Sequence, residues 1–247
     1  MNVEKNRSSF VICRLLFSLF MRQIIDTQDG SHSILAEEFG VSYHSKYGAI
    51  QESIHVFIEA GLRMRMREAQ RLDVLGIGFG TGLNALLTCL EAENQQFNID
   101  YTAVEAYPLS PDIIRQLNYT TELQLSPQDN FFDKIHHAEW ENRTAIHPHF
   151  SIKKNKMRFE EINVENAFDV IFFDAFAPNA QPELWEAPLL QKMYNALRPN
   201  GVLTTYCAKG VVKRTLKSLG FQIEALPGPP GKREMTRALK IPRYKSQ

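Results

Sequence analysis

Asp73–Thr88 reads DVLGIGFGTGLNALLT. An apolar run ends in glycines at four alternate positions, Gly76, Gly78, Gly80 and Gly82, and a helical pattern follows with Leu83, Leu86, Leu87 and Leu90 on one face. That order predicts strand, tight turn, helix. Glycine permits positive φ and lets a ligand approach the main chain closely. The helix N-terminus behind the turn offers unpaired N–H groups to an electron-rich ligand. The strand–turn–helix context makes the glycines a nucleotide-cofactor motif rather than a loose turn. The motif itself leaves open whether the cofactor is NAD or S-adenosyl-L-methionine (SAM).

The rest of the chain sets the frame for that turn. Its 247 residues, 44% of them hydrophobic, suffice for one α/β domain with a real core. The three cysteines, Cys13, Cys89 and Cys207, form no CxxC pair. A zinc site or disulfide framework is therefore not expected, and a reducing, cytoplasmic setting fits. No apolar run reaches the ~20 residues that span a membrane. Residues 1–20 are apolar after Lys5 and Arg7, but Arg14 interrupts the run and no small-residue cleavage site follows. They are read as an N-terminal extension or a start-site artefact, with a short helix as the alternative. The domain proper is placed at 21–247.

The zero net charge conceals an asymmetry. Residues 91–197 carry 8 basic and 17 acidic side chains, whereas residues 198–247 carry 11 and 2. A basic C-terminal segment points to an acidic partner, unless its charges are solvated or pair with the acidic middle.

Apolar spacing predicts an amphipathic helix over 52–69, after loop and short strand at 21–50. Strands are predicted at 99–105, 168–174, 202–206, 221–225 and 235–241. Helices are predicted from Ser110-Pro111, over 127–140, over 182–197 and over 211–219. HFSIKKNKMRF at 149–159 is read as a hairpin turning at Lys154-Asn155. Alternating strands and helices imply a mostly parallel sheet covered on both faces. Ligands in such sheets lie beyond the carboxyl ends of the strands. That rule selects Gly76–Gly82, Glu105, Asp174 and Cys207–Gly210.

Glu105, closing the second strand, stands where a carboxylate accepts hydrogen bonds from ribose hydroxyls. Asp174 ends a buried strand beside the glycine turn. It could hold a substrate ammonium, take its proton, or merely cap the next element. His136, His137, His147 and His149 lack metal-ligand spacing and are read as solvated surface. No metal is expected.

GIGFGTGLN, the strand end at Glu105, FFDAFAPNAQPELW and PGPPGKREM together resemble the MnmC-type methyltransferase domain, from about Tyr43 to Ala238. The resemblance implies a class I SAM-dependent methyltransferase: an α/β, Rossmann-like, mostly parallel seven-stranded sheet with an antiparallel last strand. It implies SAM contacts at Gly76, Gly78, Gly80, Gly82 and Asn84, with Glu105 on the ribose. Tyr43, Ser45 and Gln51 fall in a segment resembling a cofactor lid. The resemblance aligns no acidic residue for the adenine amino group, and Glu160 or Glu161, after the hairpin, is assigned to it. Asp174 is the catalytic candidate. Phe176, Pro178, Lys209, Lys232 and Arg233 are assigned to the substrate. The implied substrate is the exocyclic amine of 5-aminomethyl-(2-thio)uridine at the wobble position of tRNA, gripped through the anticodon stem-loop. Bifunctional members carry an FAD-dependent oxidoreductase domain after this one. The sequence ends at Gln247 without one, so methyl transfer alone is expected, coupled to a separate enzyme that makes the aminomethyl group. The competing readings are a small-molecule methyltransferase or aminopropyltransferase of the same fold, a NAD-dependent oxidoreductase, and a non-catalytic RNA-binding module.

Overall fold

The computed structural model describes residues 22–37 and 40–242. The expected N-terminal extension, 1–20, lies outside the described residues. The segment expected to be loop and short strand forms a three-stranded antiparallel sheet: β1 (Arg22–Asp26), β2 (His32–Ala36) and β3 (Val41–Ser42). A helix, α1, follows. It is α-helical over Ala49–Ser53, π-helical over Ile54–Arg63 and α-helical again over Met64–Met66.

The main sheet begins with β4 (Arg71–Ile77), followed by helix α2 (Leu83–Asn94) and β5 (Asn98–Val104). The Ser110-Pro111 signal opens a single turn, Pro111–Ile114, and the helix expected over 127–140 is confined to α3, Phe131–His137. Next come β6 (Arg143–His147), β7 (Phe150–Asn155) and β8 (Phe168–Phe173). A 3-10 turn at Pro182–Trp185 precedes α4 (Ala187–Ala196), so the helix expected over 182–197 is divided at Glu186. Then follow β9 (Leu197–Thr205), α5 (Gly210–Ser218), β10 (Gln222–Pro227) and β11 (Glu234–Leu239).

The strand order is β10-β11-β9-β8-β4-β5-β7-β6. Strands β7, β5, β4, β8 and β9 are mutually parallel, and β11 runs antiparallel to both β9 and β10. The antiparallel last strand is as expected. The sheet has one strand more than expected, because β6 pairs antiparallel with β7 at the edge.

That extra strand corrects the hairpin. The hairpin joins β6 to β7 and turns at Pro148-His149, while β7 runs through Lys154 without a break. Lys154 is no turn residue: it is 1% exposed, and its Nζ donates to the His136 carbonyl at 2.7 Å. The ammonium lies 5.0 Å from the Trp140 ring centroid and 5.4 Å from that of Phe79. Desolvation pulls its pKa down to about 8.

Both faces of the sheet are buried, so the central strands read as continuous apolar runs. In β8, Val170 and Phe172 pack with α1 and α2, among Val56, Phe57 and Leu86. Ile171 and Phe173 point the other way, among Trp185, Leu190, Met193 and Leu216. The sandwich fixes β4, β5, β8 and β9 with their carboxyl ends on one edge, and the candidate site lies there.

Candidate active site

At the end of β4 the chain leaves the sheet through Gly78 (φ 87°), Gly80 (φ 50°) and Gly82 (φ 77°), and Gly82 caps α2. These left-handed conformations are what the turn requires of glycine. The turn is bonded to both neighbours: Gly78 N–H donates to the Val104 carbonyl, and Asp174 N–H to the Ile77 carbonyl, each at 3.1 Å. A Cβ on Gly78 would stand 3.0 Å from the Asp174 carbonyl oxygen.

The turn opens into a cavity of about 1060 Å³, lined among others by Tyr43, Ser45, Glu52, Gly78, Gly80, Asn84, Glu105, Glu160, Asp174, Phe176, Tyr206 and Lys232. Ten of the sequence-predicted residues are therefore brought together, with Glu52 and Tyr206 beside them. The Glu105 carboxylate is held by the turn itself: Oε2 accepts Gly80 N–H at 3.1 Å and Oε1 accepts Tyr107 N–H at 2.9 Å. A carboxylate has about four acceptor positions, so both oxygens retain capacity toward a diol. The Tyr43 ring meets Phe176 edge to face at 5.0 Å and lies 3.3 Å from where a Gly80 Cβ would be. This aromatic pair bridges the turn and the loop after β8.

Asp174 lies deep below the protein surface, with part of its own surface open to the cavity. Its Oδ2 accepts from Asn84 Nδ2 at 2.8 Å. Burial, reinforced by the Glu52 charge, pushes its pKa from 3.8 to about 7, against the opposing pull of the Asn84 hydrogen bond and Lys232. Asp174 is thus a carboxyl that changes protonation near neutrality.

Six predicted residues lie elsewhere. Gly76 is still inside β4, where an added Cβ would stand 2.2 Å from the Tyr101 hydroxyl: it is a packing glycine. Gly82 faces His136, whose Nε2 would be 2.6 Å from an added Cβ. The Gln51 side chain is exposed on α1, and its backbone N–H donates to Asp29 Oδ2 at 3.0 Å. Pro178, Lys209 and Arg233 line a separate, adjoining recess of about 520 Å³ that shares Ala177, Tyr206 and Lys232 with the main cavity.

Two readings from sequence are corrected here. His136 is not solvated surface. Its Nε2 pairs with the Thr81 carbonyl at 3.1 Å, its ring packs on Phe79 and Phe132, and desolvation with the nearby Lys154 charge lowers its pKa to about 4. The basic C-terminal segment is partly consumed by internal pairs. Arg198 bridges Asp73 and Asp169, Lys213 pairs with Glu234, Lys232 with Glu52 and Arg237 with Glu224. Lys209, Arg214, Lys217 and Arg233 remain exposed. Glu52 escaped sequence reading altogether. The signal for it was its place on the buried face of α1, four residues before buried Val56.

Among the described residues no group of His, Cys, Asp or Glu is arranged to hold a metal, and no helix is long and apolar enough to cross a membrane.

A glycine cradle, a carboxylate fixed beyond the adjacent strand and a cavity of this size suit a nucleoside-bearing cofactor. Residues 130–241 match a family described as S-adenosyl-L-methionine-dependent methyltransferases. With the fold, that match identifies a class I SAM-dependent methyltransferase. The chain is similar to the "tRNA 5-methylaminomethyl-2-thiouridine biosynthesis bifunctional protein MnmC" of Leptospira interrogans, 28% identical over 211 residues, covering 81% of this chain and 33% of that protein. It is 26% identical to the protein of the same name from Burkholderia mallei, covering 90% of this chain and 36% of that one. The solved structure of MNMC2 from Aquifex aeolicus superposes with a TM-score of 0.72 at 26% identity, covering 90% of this chain and 71% of that one. This chain carries an MnmC-like methyltransferase domain. It spans about a third of the length of the curated relatives it matches.

Proposed function

We propose that the protein methylates the exocyclic amine of 5-aminomethyl-(2-thio)uridine at the wobble position of tRNA, giving the 5-methylaminomethyl product. The observation that carries the chemistry is Asp174, a buried carboxyl beside the glycine turn whose proton affinity lies near neutrality. The similarity to tRNA 5-methylaminomethyl-2-thiouridine biosynthesis proteins supports the choice of substrate.

When bound, SAM supplies an electrophilic methyl group on sulfonium. Gly78, Gly80, Asn84 and Glu105 are the residues to hold it, with Tyr43 and Phe176 covering the turn and Glu160 at the cavity wall. The amine must arrive as an ammonium, lose its proton and present a lone pair. Asp174 as carboxylate binds the ammonium, accepts one N–H proton directly or through water, and then orients the neutral amine. Asn84 keeps the carboxylate aimed. Phe176 and the Tyr206 ring exclude water and favour the uncharged amine. Orientation of this kind can supply roughly 7–11 kcal/mol of barrier reduction.

The adjoining recess, with Pro178, Lys209 and Arg233 on its walls, shares Ala177, Tyr206 and Lys232 with the main cavity and suits the nucleotides flanking the base. Phosphate contacts dominate nucleic-acid affinity and make it salt-dependent. Lys209→Glu combined with Arg233→Glu should weaken tRNA binding at least about tenfold and flatten its salt dependence by about two in log–log slope. SAM affinity, measured by calorimetry, should stay within error. Equal loss of both would show that the residues serve the fold instead.

The deciding experiment is incubation with SAM and tRNA from cells lacking the modification, followed by nucleoside analysis. One added methyl group on the aminomethyl nitrogen is expected. Methylation of free small amines, with none on tRNA, would favour the small-molecule reading.

A further inference from the structure

The cavity wall also contains a carboxylate, Glu52, that the proposed chemistry does not use. Glu52 sits on the first turn of α1 with its side chain only 8% exposed. Its Oε2 accepts the Ser45 N–H at 2.7 Å, and its Oε1 accepts from Lys232 Nζ at 2.5 Å. Lys232 comes from the loop between β10 and β11, 180 residues away in sequence. Its ammonium lies 4.0 Å from the centroid of the Tyr206 ring, a cation–π contact. The end of β10 and the same loop are docked on the segment around Glu52 at one further point each. His55 Nε2 pairs with the Pro227 carbonyl at 2.8 Å, and Gly231 packs so closely on Tyr47 that no Cβ would fit.

Lys232 and Asp174 line one cavity, and a free ammonium there would pair with the free carboxylate. The partner that prevents this is Glu52. We propose that Glu52 is a positioning residue for methyl transfer: it binds the Lys232 ammonium against the Tyr206 face and so keeps the Asp174 carboxylate available to the substrate's ammonium. The inference rests on the proposed role of Asp174. It adds that the N-terminal helix and the late basic loop act on that role together, and that Lys232 is held by the protein before any phosphate reaches it.

The charged groups facing Asp174 are Glu52, which raises its proton affinity, and Lys232, which lowers it. Tyr101, Tyr119 and Tyr206 also face it. Burial pushes all three phenols up, so they stay protonated. His44, beside Glu52, is held neutral by burial, with its pKa down to about 4. The two charges therefore act on Asp174 in opposite senses, and removing each in turn has opposite consequences.

The test titrates the Asp174 carboxyl by carbon-13 NMR of aspartate-labelled full-length protein, with Asp174→Asn identifying the signal. Glu52→Gln keeps an oxygen for Ser45 and removes the charge. It should lower the Asp174 midpoint by about half a pH unit or more. Lys232→Met should raise it, and the double variant should return it close to wild type. With tRNA as substrate, Glu52→Gln should lower kcat and move the acid limb of the pH profile down, and Glu52→Asp should restore most of the rate. If neither single variant moves the midpoint, or both move it the same way, the role of Glu52 is overturned. Should Glu52→Gln fail to fold, Lys232→Met alone decides by the sign of its shift. The titration needs neither tRNA nor turnover. Its predicted shifts in a protein that fails to methylate tRNA would count against the substrate and leave the charge arrangement standing.

Discussion

Asp174→Asn should reduce methyl transfer by roughly 10²–10⁴-fold, the usual contribution of a positioned proton acceptor, while SAM binds as before. Asparagine keeps an oxygen for the Asn84 amide but cannot accept the amine's proton. The wild-type rate should climb with pH through a midpoint near 7, because Asp174 serves only as carboxylate and its pKa stands at about 7. The same elevation predicts a stability effect of the opposite sign. In the folded protein Asp174 holds its proton to about pH 7, whereas in the unfolded chain it releases it near 3.8. The folded state binds more protons between those values, so stability falls as pH rises from about 4 to 7. The rise from 3.8 to about 7 corresponds to at most about 4 kcal/mol, less in practice because the carboxyl opens to the cavity. Asp174→Asn should therefore melt several degrees higher than wild type at pH 8 and no higher at pH 4. Thermal melts at the two pH values, with single-turnover transfer under saturating SAM, measure both halves. Near wild-type turnover would remove Asp174 from the chemistry. A gain in melting temperature independent of pH would show that its charge is not what strains the fold.

Residues were legible in the sequence where local pattern and position in the sheet coincide. Gly78, Gly80, Glu105 and Asp174 each follow a strand whose apolar run is plain, and the strands end on one edge because the helices between them force the sheet to be parallel. The Pro-Glu-Leu-Trp stretch was legible only through the resemblance, since apolar pattern had merged it with the following helix; Trp185 anchors it by packing on Phe173 and donating its Nε1–H to the Phe176 carbonyl at 2.8 Å. What pattern could not show were contacts whose partners are remote. Nothing near Lys154 announces the cage of Phe79 and Trp140, so a lysine and an asparagine side by side looked like a turn. His136 looked like surface because its partner is the Thr81 carbonyl, in the glycine turn itself. The pairing of Glu52 with Lys232, 180 residues apart, is invisible to any local window. For the basic tail the sequence left an external acidic partner and internal pairing both open, because the acidic partners Asp73, Asp169 and Glu52 lie outside it in sequence.

The glycine turn gives the second large expected effect, since its alternate glycines look equivalent in sequence and are not. Gly76→Ala should destabilise the protein by about 3 kcal/mol, at the upper end of overpacking costs. Its new Cβ would stand 2.2 Å from the Tyr101 hydroxyl and 2.9 Å from the ring carbon bearing it, in a core where Tyr101 is only 1% exposed. A domain of this size loses about 2–4 °C of melting temperature per kcal/mol, so a fall near 10 °C is expected. Tyr101→Phe removes the closest atom and should recover a good part of that loss, a coupling of at least about 1 kcal/mol between touching residues. The folded fraction of Gly76→Ala should still bind SAM, because Gly76 does not line the cavity. Gly80→Ala should behave in the opposite way. Its Cβ would meet the Tyr43 ring at 3.3 Å, a contact the ring can yield to, but it would sit at φ 50° in the mouth of the cradle. A modest fall in melting temperature with at least about a tenfold loss of SAM affinity is expected there, as a cradle filled by a methyl group would produce. Calorimetric binding beside thermal melts separates the two. Additivity of Gly76→Ala with Tyr101→Phe would contradict the packing account, and equal SAM affinity in Gly80→Ala would move the cofactor away from the turn.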